Sequence, residues 1–211
     1  MTTLHGTLLQ PRSSTECAVL PGTTVEIAPD GTVAAAATGQ APARGAVGGA
    51  GCWILPGFID AHLHVPQWDR RGIDGSGLFD WHEQVVYPAE MRLRDLACAE
   101  DLADTFAAGC VENGTTTVAA FGSPFAPATG RAFEVFERRG LRAIFGMTLN
   151  DANVPKDLMQ STDKALDESR ALAARWHGAA GGRLNYAFSP RMSLACGEKM
   201  MRGAAALASM L

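Results

Sequence analysis

The chain has 211 residues, of which 47% are hydrophobic and 19% are charged, so its composition supports a packed core and argues against disorder. The net charge of −4 gives no basis for a nucleic-acid or anionic-membrane partner, and no run of about 18 apolar residues is present to span a bilayer. Five scattered cysteines without Cys-x-x-Cys spacing indicate reduced thiols, which predicts a cytoplasmic location.

The first 51 residues are typical of a small β-rich segment. Short apolar runs bounded by turn residues predict four strands, at Thr7–Gln10, Cys17–Leu20, Thr24–Ala28 and Val33–Ala37. The tetrapeptide at 29–32, PDGT, is a strong turn signal between the last two strands. Residues 38–51 are rich in Gly and Ala without periodicity, and this composition predicts a linking loop.

From Cys52 onward, strand patterns alternate with helix patterns. Apolar and β-branched runs predict strands at 53–64, 115–121, 142–149 and 183–189. Helical spacing of apolar residues predicts helices at 93–113, 131–139, 161–176 and 198–211. Such alternation is typical of parallel βα units. We therefore expect an α/β fold in which residues 52–211 form the first half of a (β/α)₈ TIM-like barrel.

Four βα units are half of the eight that close such a barrel, whose complete form usually needs about 250 residues. A four-stranded half-barrel would leave two strand edges open and its interior uncovered. We therefore expect that the numbered chain is truncated, in preference to assembly with another half. The segment after Trp81, up to residue 92, belongs to a long predicted loop that starts at residue 65.

His62 and His64 are the candidate metal ligands. Side chains two residues apart on a strand point to the same face, so the two imidazoles can converge on one ion. They end an apolar strand, and in a barrel that end faces the mouth where active sites lie.

The segment at 56–64, PGFIDAHLH, resembles the first-strand signature of the metal-dependent amidohydrolase superfamily. The residues after it resemble the guanine deaminases of that superfamily: VPQW at 65–68, LFDW at 78–81 and YPAEMR at 87–92. Two later segments continue the resemblance, LND at 149–151 and SPRMSLAC at 189–196. The motifs occur in order from about residue 53 to residue 211.

The resemblance implies an amidohydrolase barrel that hydrolyses guanine to xanthine and ammonia with Zn²⁺. It implies that His62 and His64 are zinc ligands, that Gln67 binds the purine edge, and that Arg191 and Met192 line the substrate pocket. Met192 stands where the family usually has Phe, which removes an aromatic stacking surface. The resemblance also implies a small-molecule purine as partner, a homodimer for the full-length family, and neither nucleic acid nor membrane.

The remaining ligands and the catalytic Glu and Asp of the family fall after strands five to eight, beyond Leu211. Two imidazoles are fewer than the three protein ligands of a usual catalytic zinc site. We therefore predict that the 211-residue chain alone neither holds zinc tightly nor deaminates guanine.

Several alternatives stay open from the residues alone. The substrate of the same enzyme class can be another aminated ring, such as a pterin, a triazine or a cytosine. A non-catalytic half-barrel that serves in assembly is a third hypothesis. Asp60 is interpreted either as a residue that orients a metal-bound His or as a turn cap. Glu90 and Arg92 are interpreted as a loop ion pair, and His82 as structural or solvated.

Overall fold

The computed structural model describes residues 1–75 and 77–211, so residue 76 of the predicted long loop lies outside the described residues. The chain divides into two compact units, Met1–Gly57 and Phe58–Leu211. Among the described residues, no helix combines the length and the apolar character that crossing a membrane requires.

The first unit is built on a four-stranded sheet. Its strands are β1 (Thr2–Pro11), β2 (Cys17–Ile27), β3 (Val33–Thr38) and β4 (Val47–Ile54). They lie in the order β3-β2-β1-β4, in which β2 is antiparallel to both neighbours and β4 is parallel to β1. Two of the short predicted strands form the single strand β2, because Gly22 takes a φ of +59° and lets the chain continue.

The linking loop predicted at 38–51 is wrong for its last five residues, 47–51, which belong to β4. Backbone hydrogen bonds hold this segment, and such bonds need no side chain; Val47 is in register with Leu4, and Gly48 with His5. Gly48 has a φ of +101°, and a Cβ there would overlap the carbonyl oxygen of His5. Glycine therefore allows the close approach of β4 to β1.

The single strand predicted at 53–64 is also wrong, because Pro56 and Gly57 separate two strands. Trp53 is in register with Thr7 in the first unit, whereas Phe58 is in register with Thr115 in the second. The division between the units therefore follows Gly57 and not Gly51. Both segments are apolar, and hydrophobicity alone does not tell which sheet a strand joins.

The second unit carries a parallel sheet. Its strands are β5 (Phe58–His64), β6 (Thr115–Phe121), β7 (Arg142–Gly146), β8 (Thr148–Leu149), β9 (Leu184–Tyr186) and β10 (Ser189–Pro190). The main sheet has the order β5-β6-β7-β9, and β8 pairs with β10. All these pairs are parallel, which confirms the predicted βα organisation.

Helices connect the strands. They are α1 (Leu78–Trp81), α2 (Tyr87–Met91), α3 (Leu96–Glu112), α4 (Ala126–Arg139), α5 (Thr162–Trp176), the short turn α6 (Ala179–Gly182) and α7 (Glu198–Ala208). Asp95 caps α3 by accepting a hydrogen bond from the backbone N–H of Ala97, and Gly140 ends α4 in the left-handed conformation.

The segment at 65–92, predicted as a long loop, is largely helical. It contains a 3₁₀ turn at Val65–Arg70, then α1, a π-helical turn at His82–Val86, and α2. Pro66 and Pro88 stand in the first turns of two of these elements, where proline needs no hydrogen-bond donor. The short pieces lack the sustained apolar periodicity from which a helix is predicted.

The main core lies between α3, α4 and α5 and one face of the sheet. Its largest members are aromatic, namely Phe106, Phe133, Phe136, Phe145, Trp176 and Tyr186. Along β7 the side chains alternate, so that Phe145 is fully buried while Ile144 on the other face is 46% exposed. One face of the sheet is thus packed against helices, and the residues that carry the site follow the strand ends.

Candidate active site

Parallel strands bring their carboxyl ends to one edge of the sheet. His64 ends β5 and is in register with Phe121, which ends β6. Phe121 is in turn in register with Gly146 at the end of β7. The predicted metal ligands therefore lie at the edge where the following turns also begin, as expected for the mouth of a barrel.

His62 and His64 are neighbours in space, and Phe121 packs against both. The two imidazole centroids are 5.5 Å apart with planes at 81°. The ring of His64 stacks on Phe121 at 4.7 Å, and His62 meets the same ring edge-on at 5.8 Å. Phe121 thereby restricts the rotation of both imidazoles and keeps them on one side of the strand end.

The two imidazoles fit a shared metal ion. Nδ1 of His64 is buried and has no hydrogen-bond partner among the described residues. Burial, together with the charge of Arg191, lowers the pKa of His64 to about 4, so the ring is neutral at pH 7 and keeps a lone pair for a metal. Two rings bound to one tetrahedral zinc ion at about 2.1 Å have centroids roughly 5 Å apart, close to the separation seen here. Within residues 1–75 and 77–211, no group of three His, Cys, Asp or Glu is placed to hold a metal.

Asp60 contacts the backbone of the strand that carries His62 and His64. Its Oδ1 accepts a hydrogen bond of 3.2 Å from the backbone N–H of His62. Of the two interpretations of Asp60, this bond agrees with that of a turn cap, because it is made to the backbone two residues further on. The strand is irregular at this point, since its register to β6 shifts between Asp60 and Leu63.

Gln67 lies in the 3₁₀ turn directly after β5 and is half-buried. It lines a cavity of about 460 Å³ together with His64 and Trp68. The same cavity reaches Cys110 and Thr115, which lie at the opposite end of the neighbouring strand and helix. The cavity therefore runs beside strand β5, and only its His64 and Gln67 end belongs to the candidate site.

Arg191 follows β10 directly and is buried. Its Nη2 donates to Oε2 of Glu90 in a close ion pair, and its Nε lies 3.4 Å from Oδ1 of Asn150. The Cζ atom is 5.7 Å from the ring centroid of Tyr87. The guanidinium is thus surrounded by α2 and by the residue that follows β8.

The expected ion pair between Glu90 and Arg92 is wrong. Arg92 instead forms two hydrogen bonds of 2.6 Å to the carboxylate of Asp69, and Glu90 is the partner of Arg191. The sequence alone does not reveal this role of Glu90, because the two partners are 101 residues apart. The one local signal was an acidic residue within the apolar YPAEM run.

Met192 is adjacent to Arg191 but is 39% exposed. The structure thus brings His62 and His64 together, places Gln67 beside His64, and buries Arg191 nearby. Met192 is left at the surface of the same turn. His82 is anchored to the preceding helix α1, since its Nδ1 lies 2.7 Å from the carbonyl oxygen of Leu78.

Comparisons with known proteins agree on one family. Residues 53–211 match the model of the amidohydrolase family. A protein from Deinococcus radiodurans named a probable guanine deaminase is 40% identical over 154 residues, which are 73% of this chain and 35% of that protein. Guanine deaminase of Escherichia coli is 34% identical over 140 residues, which are 66% of this chain and 31% of that protein.

The solved structure of the E. coli guanine deaminase superposes with a TM-score of 0.88 at 26% identity. The match covers 99% of this chain and 50% of that chain. The chain spans about a third to a half of the length of the relatives that it matches.

Proposed function

Because this chain belongs to the amidohydrolase family, we propose that its strand-end site takes part in the zinc-dependent hydrolytic deamination of guanine to xanthine and ammonia. The observation that supports this proposal most directly is the imidazole pair: the two centroids lie 5.5 Å apart, and Nδ1 of His64 is buried without a hydrogen-bond partner among the described residues. Relatives named as guanine deaminases support the choice of substrate. The activity is assigned to the polypeptide that the cell makes and that contains residues 1–211. This polypeptide is called the native polypeptide.

In this proposal His62 and His64 hold the ion, and Gln67, Arg191 and Met192 line the purine pocket. When bound, zinc supplies the Lewis acidity that activates water at neutral pH. Guanine is planar and neutral, and its edge carries both donors and acceptors. The Gln67 amide offers one group of each kind, while the Arg191 guanidinium offers donors alone, which suits a carbonyl or ring nitrogen.

The test is ammonia release by the native polypeptide from a panel of guanine, adenine, a pterin, an aminotriazine and cytosine. We expect kcat/KM for guanine to exceed that of every other ring by at least about a hundredfold, because buried polar groups penalise a substrate that leaves them unpaired. Dialysis against a chelator should remove the activity, and added Zn²⁺ should restore it. Preference for another ring would replace guanine as the substrate, and chelator-resistant turnover would contradict the metal.

The 211-residue polypeptide by itself gives a separate expected result. After desalting it should retain well under one zinc per chain, because two imidazoles are fewer than the three protein ligands of a usual catalytic site. Elemental analysis by mass spectrometry provides the measurement, with a known three-ligand zinc enzyme treated in parallel. One tightly held zinc per chain would show that further ligands come from this chain. The homodimer implied by the resemblance stays a prediction.

A further inference from the structure

A buried ion pair links two distant parts of the second unit. The side chains of Arg191 and Glu90 are 2% and 0% exposed, and they join the turn after β10 to helix α2 across 101 residues. Burial raises the pKa of Glu90, and the hydrogen bond from Arg191 opposes that rise. Ion pairs as buried as this are often no more stabilising than apolar packing, so stability alone does not account for the pair.

Two of the three guanidinium nitrogens of Arg191 are directed at acceptors. Nη2 donates to Glu90 and Nε is directed at Asn150, at 3.4 Å. In the described part of the chain, Nη1 has no acceptor. The planar guanidinium is rigid, so fixing two of its nitrogens also fixes the direction in which the third can donate.

Among the described residues, the carboxylate of Glu90 has one hydrogen-bond partner, Arg191. Its second carboxylate oxygen, Oε1, is buried and has no hydrogen-bond partner among the described residues. The carboxylate is therefore balanced mainly by Arg191, and loss of either partner leaves an uncompensated charge.

A neighbouring ion pair shows a different arrangement. Arg92 binds both oxygens of Asp69, and its Nη2 also lies 3.4 Å from the carbonyl oxygen of Pro66. Its side chain is 25% exposed and that of Asp69 is 42% exposed. Its Nε donates to the carbonyl oxygen of Ala89, so Arg92, unlike Arg191, has an acceptor for each of its three nitrogens.

We propose that Glu90 is a positioning residue, which holds the guanidinium of Arg191 so that Nη1 donates to the bound purine. This inference rests on the proposed function, since it requires that Arg191 contacts the substrate. Glu90 itself does not touch the substrate and acts through Arg191.

The test is a double-mutant cycle on the native polypeptide with guanine as substrate. Glu90→Gln keeps the size of the side chain and one acceptor but removes the charge. We expect KM to rise about tenfold with kcat changed less than about threefold, because an interaction present in both ground and transition states acts on binding. In an Arg191→Lys background, Glu90→Gln should change KM by less than about twofold, because the group it positions is already gone.

Asp104→Asn is the control: it removes the ion pair with Arg139 between α3 and α4, which contribute no residue to the candidate site, and it should leave KM for guanine unchanged. Glu90→Asp retains the charge but shortens the reach, and it gives a second reading of the same KM effect if Glu90→Gln folds poorly. An unchanged KM in both Glu90 variants, or an equal rise of KM in both backgrounds, overturns the positioning role. An unmodified polypeptide that releases no ammonia from guanine overturns the proposed function itself, and this inference with it.

Discussion

If His62 and His64 are metal ligands as proposed, we expect His62→Asn and His64→Asn in the native polypeptide each to lower kcat/KM for guanine by at least about a thousandfold, equivalent to about 4 kcal/mol of transition-state stabilisation. Each substitution removes one of the two imidazoles whose centroids lie 5.5 Å apart at the end of β5. Asparagine retains a polar side chain, but its amide is a weaker zinc ligand than a neutral imidazole. The bound metal should fall with the activity, so metal content of the purified native polypeptide is measured together with ammonia release.

The matched control is His177→Asn, at an exposed position that follows α5. This variant should keep both metal content and activity within about twofold of the parent. The denaturation midpoints of all three variants are compared after metal removal, which separates loss of a ligand from loss of the fold. Full metal content with full activity in His62→Asn or His64→Asn would exclude these histidines as ligands.

Gly146→Ala lowers the free energy of unfolding by about 3 kcal/mol. Gly146 ends β7, and a Cβ there would overlap the carbonyl oxygen of Ala187 and lie 3.0 Å from Oγ of Ser189. The backbone cannot easily yield, because the N–H of Ala187 donates to the carbonyl oxygen of Phe145 at 3.0 Å. The substitution therefore separates β7 from the segment that leads to Arg191.

Gly130→Ala is the control for this prediction. Gly130 is buried inside α4, but its added Cβ would meet only Cδ2 of Leu172 at 3.6 Å, an ordinary van der Waals distance. Replacement of glycine by alanine within a helix should then raise the stability by about 0.5–1 kcal/mol. Urea denaturation followed by circular dichroism measures both variants. A Gly146→Ala variant within about 0.5 kcal/mol of the parent would contradict the close approach.

Features that depend on residues close together in the chain could be predicted from the sequence. β6 lies at Thr115–Phe121, as its β-branched and apolar run indicates, and α5 lies within one residue of its predicted bounds. His62 and His64 share a side of the strand end because a strand has a period of two. These predictions needed only local periodicity, and that signal is strong where one face of an element is buried.

Other features depend on contacts between segments that are distant in the sequence. The glycine-rich segment at 47–51 becomes part of β4 only because β1 offers it backbone partners. Phe121 stacks on His64 because β5 and β6 are adjacent and in register. No local pattern encodes such pairings.

The candidate metal site is therefore determined by sequence in its two proposed ligands and by tertiary structure in its surroundings. Residue type and spacing placed His62 and His64 on one strand end, and these are properties of the local chain. The partner of Arg191 was decided by folding, because Glu90 lies 101 residues away and meets it only when α2 packs beside the turn after β10. Burial then strengthens that contact by excluding water, and burial is a property of the folded chain rather than of any single residue.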